Sequence, residues 1–163
     1  MKRAIVIGCP GSGKSTFSRT LHEKTSLPLV YLDMLFWNAD RTTVPKEVFL
    51  VRLADALRQE TWIMDGNYGS TMEQRLAVCD TVFFLDYSPE VCMNGILSRR
   101  GTVHPDMPWV EDPDNIDEEF LEFVRTFETE SRPKILELLR KYREKSILVF
   151  QNRQEAAEYL DRL

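Results

Sequence analysis

Short apolar runs alternate with stretches of helical periodicity along the whole chain. The apolar runs predict five strands, and the amphipathic stretches between them predict helices. A regular alternation of strands and helices favours a parallel sheet covered by helices on both faces, so the predicted fold class is α/β. The strands are predicted at residues 2–7, 29–32, 62–64, 81–85 and 147–150.

Capping residues and prolines mark the helix boundaries. Ser70 and Asn152 each lie three residues before a glutamate, which is the spacing of a capping box, and Ser88 precedes Pro89 as a cap precedes a first helical position. Pro133 is expected to kink or split the long helix around it. The helices are predicted at residues 14–24, 45–60, 70–79, 89–100 and 117–144, with a last short helix after Asn152.

Residues 102–116 interrupt this alternation. They hold three prolines among four acidic residues without any periodicity, which predicts a loop. A loop of this length is typical of a lid that closes over a ligand. We expect one domain over residues 1–163, with a lid segment at about residues 101–118, because no stretch has the composition of an interdomain linker.

The first predicted strand runs directly into Gly-Cys-Pro-Gly-Ser-Gly-Lys-Ser at residues 8–15, the pattern of a phosphate-binding loop. Its glycines let the backbone curl so that successive N–H groups point at phosphates, and the following helix adds the positive end of its dipole. Lys14 is expected to reach the outer phosphates, and the Ser15 hydroxyl to ligate magnesium. The pattern predicts a nucleoside triphosphate site made by Gly8, Cys9, Pro10, Gly11, Ser12, Gly13, Lys14, Ser15 and Thr16.

Carboxylates follow the predicted strands at the edge where open parallel sheets bind their ligands. Asp65 ends a strand, where a carboxylate holds magnesium in phosphate-loop enzymes, although Asp-Gly is also a common turn pair. Asp33 is either a ligand or general base for an acceptor hydroxyl, or a solvated turn residue. Asp86 leads into a helix start and is interpreted as a turn or cap residue.

Other side chains near the strand ends extend the candidate site. Trp37 is either a stacking surface for a ring-shaped acceptor or a core residue. Asn152 and Arg153 follow the last strand and are assigned to the nucleotide. The candidate acceptor site consists of Asp33, Trp37, Asp65, Gly66, Asn67, Tyr68 and Arg75.

Phosphoryl transfer needs cations placed against the equatorial oxygens of the transferred group. Arg99 and Arg100 end a helix directly before the expected lid, where they can also simply complement the helix dipole. Their place at the lid hinge favours a catalytic role for at least one of them. Lys14, Asp33 and Arg132, which lies on the helix after the lid, complete the candidate catalytic set.

Composition narrows the classes of partner. A formal net charge of −5 without a basic run argues against direct nucleic-acid binding. No apolar stretch approaches the length of a membrane span, and no signal-peptide pattern precedes the first strand, so we expect a cytoplasmic protein. The three cysteines lack metal-ligand spacing and are expected to be reduced thiols. We expect a monomer or weak homodimer that acts on a small molecule.

Four segments carry a family resemblance: Leu32-Asp33-Met34-Leu35-Phe36-Trp37, Trp62-Ile63-Met64-Asp65-Gly66-Asn67-Tyr68, Pro105-Asp106-Met107 and Arg132-Pro133-Lys134-Ile135. With the phosphate loop, they resemble the adenylate-kinase-like branch of P-loop kinases, and more closely the bacterial DNA-topology-modulation (FlaR-like) proteins. The resemblance covers nearly the whole chain. It implies a three-layer α/β/α sandwich whose five-stranded parallel sheet has the order 2-3-1-4-5, and ATP as the phosphoryl donor.

The chain differs from this branch in the region expected to bind the acceptor. Nucleoside-monophosphate kinases place arginines against the acceptor phosphate, but residues 33–40 contain none. The carboxylate in this region favours a hydroxyl-bearing acceptor. A nucleoside monophosphate stays open, because Arg41 and Arg75 can fold inward. The predicted function is magnesium-dependent transfer of the γ-phosphoryl of ATP to a small acceptor. The alternative is a nucleotide-dependent switch or ATPase with an indirect effect on DNA topology.

Overall fold

The computed structural model describes residues 1–110, 114 and 117–163. Within these residues the chain forms five strands, eight α-helices and one π-helical segment. In chain order they are β1 (Arg3–Gly8), α1 (Lys14–Thr25), β2 (Leu29–Tyr31), α2 (Leu32–Phe36), α3 (Lys46–Leu57), β3 (Trp62–Asp65), α4 (Gly69–Val78), β4 (Thr81–Leu85), α5 (Pro89–Ser98), α6 (Glu118–Thr126), the π-helical segment (Phe127–Ser131), α7 (Arg132–Lys141), β5 (Ser146–Phe150) and α8 (Arg153–Asp161).

The strands form one parallel sheet in the order β2-β3-β1-β4-β5, with helices on both faces, so the predicted fold class and strand order are confirmed. β1 lies at the centre, and its Ile5 side chain is fully buried. The register pairs Val6 with Asp65 and Gly8 with Leu85. The carboxyl ends of β1, β3 and β4 therefore lie side by side, which brings the polar residues after each strand to one edge.

Aromatic packing holds α1 and α8 against β4 and β5. The Phe17 ring of α1 lies 5.1 Å from the Phe83 ring and 5.7 Å from the Phe150 ring, measured between centroids. Tyr159 of α8 lies 5.4 Å from Phe83. Offset and tilted contacts of this kind are favourable beyond the apolar area they bury. They position α1, and with it the loop that precedes this helix.

Two predicted helix starts are confirmed. The Ser88 hydroxyl accepts a hydrogen bond from the Val91 N–H at 3.3 Å, and the Asn152 side chain accepts one from the Glu155 N–H at 2.9 Å. α5 follows β4 and α8 follows β5, so both starts lie at the ligand-binding edge of the sheet.

The capping box predicted at Ser70 is wrong. Ser70 lies inside α4, and Tyr68, in the left-handed conformation with φ 38°, precedes the helix. The Glu73 carboxylate, expected to cap, instead accepts hydrogen bonds from the Lys141 ammonium and from the Tyr142 hydroxyl. These partners come from the end of α7, so the local spacing of a serine and a glutamate could not reveal them.

The chain after β2 turns directly into a helix. The second strand was predicted to include Leu32, but it ends at Tyr31, and the five residues of α2 follow. Leu32 is fully buried, and Asp33 lies in the first turn of α2. A short helix at the end of a strand therefore carries the carboxylate that the sequence places at a strand end.

The long helix predicted around Pro133 is interrupted just before the proline. The π-helical segment separates α6 from α7, and Pro133 lies in the first turn of α7, where its missing N–H would be unpaired anyway. Residues 101–110 of the predicted lid contain neither helix nor strand. Residues 111–113, 115 and 116 of that prediction lie outside the described residues. No helix in the described part of the chain is long and apolar enough to cross a membrane.

Candidate active site

The phosphate loop, residues Gly8–Ser15, has the backbone geometry that its sequence predicts. Gly11 and Gly13 have φ values of 84° and 91°, in the left-handed region that favours glycine. A Cβ atom on Gly11 would lie 2.0 Å from the Cys92 carbonyl oxygen, so the loop packs against α5 as only glycine allows. Because Gly13 caps α1 without a side-chain acceptor, the first N–H groups of that helix remain available to an anion.

Two side chains from distant segments hold the phosphate loop in place. The Asn67 amide accepts a hydrogen bond from the Gly8 N–H at 3.0 Å and donates one to the Gly8 carbonyl at 2.6 Å. The Arg153 guanidinium donates to the carbonyls of Gly11 and Ser12 at 3.1 and 3.3 Å. Asn67, assigned to the acceptor by the sequence, therefore binds the nucleotide loop in this structure.

Ser15 and Asp65 meet beneath the loop. The Ser15 hydroxyl donates to Asp65 Oδ2 at 2.7 Å. Asp65 is 5% exposed, and its Oδ1 atom is buried without a hydrogen-bond partner among the described residues. Burial raises the pKa of the Asp65 carboxyl to about 6, against the opposing effects of Lys14 and of the Ser15 hydrogen bond. A hydroxyl beside a carboxylate with an unused oxygen suits a hard cation such as magnesium.

Asp33 lines the same cavity as the phosphate loop and has a tyrosine as its partner. The Tyr68 hydroxyl donates a hydrogen bond to Asp33 Oδ1. Burial raises the pKa of the Asp33 carboxyl above its usual value, while the Tyr68 hydrogen bond and the charge of Lys14 oppose that rise. The Tyr68 ring packs on Phe36 and Phe49, with centroid distances of 5.2 and 5.3 Å, so the hydroxyl is held in position.

Two tryptophans form a wall next to Asp33. The rings of Trp37 and Trp109 meet edge to face at a centroid distance of 5.1 Å. Arg41 donates to the Val110 carbonyl at 2.9 Å, and its guanidinium lies 6.0 Å from the Trp109 ring centroid. These contacts join the turn after α2 to the segment after α5. Trp109 was missed by the sequence analysis, because it lies in a loop without periodicity.

Arg75 has a different role from the one predicted. Its side chain is fully buried and donates hydrogen bonds to the carbonyls of Gly66, Asn67 and Tyr68. The guanidinium therefore holds the loop after β3, and Arg75 does not line the cavity that contains Asp33. Gly66, with φ 140°, lies in that loop against Leu32.

The predicted lid arginines separate into two groups. Arg99 Nη2 lies 3.6 Å from Asp106 Oδ2, and Arg99 and Arg100 both line the main cavity. Arg132 does not join them. It makes two 2.8 Å hydrogen bonds to Asp86 beside a smaller cavity of about 280 Å³. Asp86, interpreted from sequence as a turn or cap residue, is the ion-pair partner of Arg132.

One cavity of about 1030 Å³ connects the phosphate loop with Asp33 and the tryptophan wall. Gly8, Cys9, Ser12 and Asn152 are absent from its lining, and Asn152 caps α8 instead. The predicted nucleotide-binding residues that line it are Pro10, Gly11, Gly13, Lys14, Ser15, Thr16 and Arg153. The arrangement places a phosphate-binding backbone and a carboxylate that can accept a proton around the same space.

Comparison with known proteins shows a shared fold. No protein-family model matches the chain, and no curated protein gives a significant match. A shikimate kinase from Bacteroides thetaiotaomicron is 18% identical with a TM-score of 0.58, over 99% of this chain and 95% of that chain. A shikimate kinase from Acinetobacter baumannii, solved in complex with shikimate, is 15% identical with a TM-score of 0.65, over 99% of this chain and 90% of that chain. The chain has the fold of these P-loop kinases. The closer resemblance to DNA-topology-modulation proteins stays a prediction.

Proposed function

We propose that the protein is a kinase that transfers the γ-phosphoryl group of ATP to a hydroxyl group of a small molecule. One observation carries this proposal: the phosphate loop and the Asp33 carboxylate line the same cavity. A triphosphate on the loop would direct its last phosphoryl group into that cavity, where an acceptor hydroxyl beside Asp33 can meet it.

The chain supplies each part of this reaction. Lys14 and the N–H groups at the start of α1 bind the phosphates, and Arg99 adds positive charge from the lid side. Ser15 and Asp65 would hold a magnesium ion, which neutralises charge on the phosphate oxygens when bound. The acceptor oxygen attacks the γ-phosphorus as the bond to the bridging oxygen of ADP breaks. Asp33 accepts the proton that the hydroxyl loses.

A hydroxyl acceptor fits this cavity better than a phosphate acceptor. Arg75, one of the two arginines that kept a nucleoside monophosphate open, is committed to loop carbonyls. The other, Arg41, donates to the Val110 carbonyl. An anionic phosphate also needs no base, whereas a hydroxyl acceptor benefits from a carboxylate such as Asp33 in the same cavity. The fold neighbour that binds shikimate supports a small hydroxylated acceptor.

The first test is ADP release from ATP and magnesium in the presence of nucleosides, nucleoside monophosphates and small polyols. We expect stimulation by a hydroxyl-bearing compound and about a 10³-fold loss of that stimulation in Asp33→Asn, with ATP affinity changed only a few-fold. Asp40→Asn removes a carboxylate from the exposed turn after α2 and serves as the matched control. Tight ATP binding without stimulation by any acceptor would favour the nucleotide-dependent switch.

The proposal also includes a cytoplasmic location and no direct binding to DNA. Cys9, Cys79 and Cys92 are free thiols, which fits the reducing cytoplasm. The net charge of −5 gives no electrostatic footprint for DNA, so any effect on DNA topology would be indirect. A gel shift with duplex DNA at low salt checks this, since retarded DNA would contradict it.

A further inference from the structure

Asp106, in the segment after α5, is a buried carboxylate with one oxygen paired to Arg99 and the other without a hydrogen-bond partner among the described residues. The residue is 4% exposed, and its Oδ1 atom has no hydrogen-bond partner in the described part of the chain. Its Oδ2 atom lies 3.6 Å from Arg99 Nη2, longer than a hydrogen bond. A buried oxygen without a hydrogen bond is costly, unless a ligand supplies the missing donor.

A hydrogen-bond donor for Asp106 can come from a ligand in the main cavity. Asp106 lines it together with Asp33, Trp37 and Trp109. Asp33 and Asp106 therefore border the same space, and one ligand in the cavity can contact both carboxylates.

A metal ion is a poor explanation for this carboxylate. Among the described residues, no three His, Cys, Asp or Glu side chains are grouped so that they could hold a metal ion. Ser15 and Asp65 already form the candidate magnesium site on the nucleotide side. A hydrogen-bond donor on the acceptor molecule satisfies Asp106 without a further cation.

Cations around the cavity are mostly engaged with the protein itself. Lys14 donates to the Cys9 carbonyl, and Arg41 donates to Val110. Arg19 donates to Thr16 Oγ1 at 3.2 Å, and its Nη1 atom is buried without a partner among the described residues. Arg19 is one of the groups that an anionic acceptor would contact, so substituting it tests the opposite preference. Arg100 and Lys134 lie on the wall made by the end of α5 and by α7.

We propose that Asp106 binds the acceptor, and that the acceptor is a polyol or amino alcohol with hydrogen-bond donors at two positions. One hydroxyl lies at Asp33, and a second hydroxyl or an ammonium group donates to Asp106. The carbon skeleton lies against the wall of Trp37 and Trp109. This inference rests on the proposed function, because it names the class of acceptor used by the same site. The acceptor class named here differs from that of a kinase whose acceptor carries a carboxylate.

The test uses three probes with the same ring and hydroxyls: shikimate, its uncharged methyl ester, and the analogue in which an aminomethyl group replaces the carboxylate. Each is titrated into the full chain loaded with magnesium and a non-hydrolysable ATP analogue. Tryptophan fluorescence reports binding, because Trp37 and Trp109 line the cavity while Trp62 is 1% exposed. The aminomethyl analogue carries an ammonium group and is the ammonium probe. We expect it to bind about tenfold more tightly than shikimate, because its ammonium group can form a charge-assisted hydrogen bond.

Three variants assign this preference to a residue. Asp106→Asn keeps the shape of the side chain and should remove most of the difference between the ammonium probe and shikimate. Asp55→Asn makes the same change in net charge on an exposed face of α3 and should leave the difference intact. Arg19→Gln should also preserve it. Shikimate binding at least as tightly as the ammonium probe, an unchanged difference in Asp106→Asn, or no binding of any probe would overturn the inference.

A separate measurement tests the proposed function: ADP release is followed with each probe when ATP replaces the non-hydrolysable analogue. The expected order of binding without stimulated ADP release would support the role of Asp106 and reject the kinase. Stimulation by shikimate above the other probes would support the kinase and reject the acceptor class named here.

Discussion

The end of the cavity proposed to bind the nucleotide is built on one contiguous loop, whereas the end proposed to bind the acceptor is built from side chains of separate segments. The phosphate loop is contiguous, and its glycines and the start of α1 define its shape. The acceptor end combines Asp33, Tyr68, Asp106 and the wall of Trp37 and Trp109, from three separate segments. A contiguous backbone site recognises phosphate in any nucleotide, while an assembled side-chain site sets which acceptor fits.

The loop after β3 connects the two ends. Asn67 bonds to Gly8 at the nucleotide end, and the next residue, Tyr68, bonds to Asp33 at the acceptor end. Arg75 holds the carbonyls of both residues from beneath. One buried guanidinium therefore holds the segment that contacts both the phosphate loop and Asp33.

The largest effect is expected at the nucleotide end. Lys14→Ala should lower kcat/KM by about 10³-fold and weaken ATP binding by about tenfold or more, because one cation serves the bound phosphates and the transition state. Lys24→Ala, on an exposed face of the same helix, is the matched control. Single-turnover rates and calorimetric ATP titration measure the two effects. Unchanged ATP affinity in Lys14→Ala would contradict the assignment of the loop.

The second effect tests Asp65 through pH. Magnesium needs the ionised carboxylate, so magnesium affinity should fall about tenfold for each pH unit below about 6. Asp65→Asn should bind magnesium about 10²-fold more weakly than the wild type. It should also lose the part of the pH dependence that the Asp65 carboxylate causes. Calorimetric magnesium titrations of the ATP complex from pH 5 to 8 measure it. Identical slopes in the two proteins would remove Asp65 from the metal site.

The same pKa shift makes a statement about stability. Folding raises the pKa of Asp65 from 3.8 to about 6, so the protonated form is the one that the native state favours. The shift contributes to the free energy of unfolding in full below pH about 4, and this contribution is lost as pH rises through about 6. Without magnesium, Asp65→Asn should therefore be more stable than the wild type at pH 8, and thermal unfolding should show the difference shrinking below pH 6.

The smallest effect should be confined to the acceptor end. Tyr68→Phe removes the hydroxyl that lowers the pKa of Asp33 but keeps the ring packed on Phe36 and Phe49. The pKa of Asp33 should rise further, so the acid limb of kcat/KM should move to higher pH. Activity at pH 7 should fall about tenfold, with the KM for ATP unchanged.

Tyr142→Phe provides the control for this variant. It removes a hydroxyl that is hydrogen-bonded to Glu73 at 3.1 Å, outside the cavity lining. A Tyr68→Phe enzyme that loses activity without a shift of its pH profile would reduce Tyr68 to a packing residue. A large increase in the KM for ATP would show instead that the two ends are not separable.

Local sequence carries much of the fold. Each strand is a short apolar run, and the caps at Ser88 and Asn152 satisfy N–H groups within three residues, so their signals are contained in a few positions. The capping box at Ser70 failed because Glu73 finds an ammonium group 68 residues away. Contacts of that separation leave no periodic trace in a sequence.

The sequence by itself determined the phosphate loop, because glycines and a lysine in fixed order are the geometry of that site. It also placed Asp33 and Asp65 at strand ends, where a parallel sheet brings ligands. Only the tertiary structure decided that Arg75 is buried against loop carbonyls and that Asp106 is buried beside Arg99. Burial, hydrogen-bond partners and charge depend on distant segments meeting, and a side chain's type does not specify which segment it will meet.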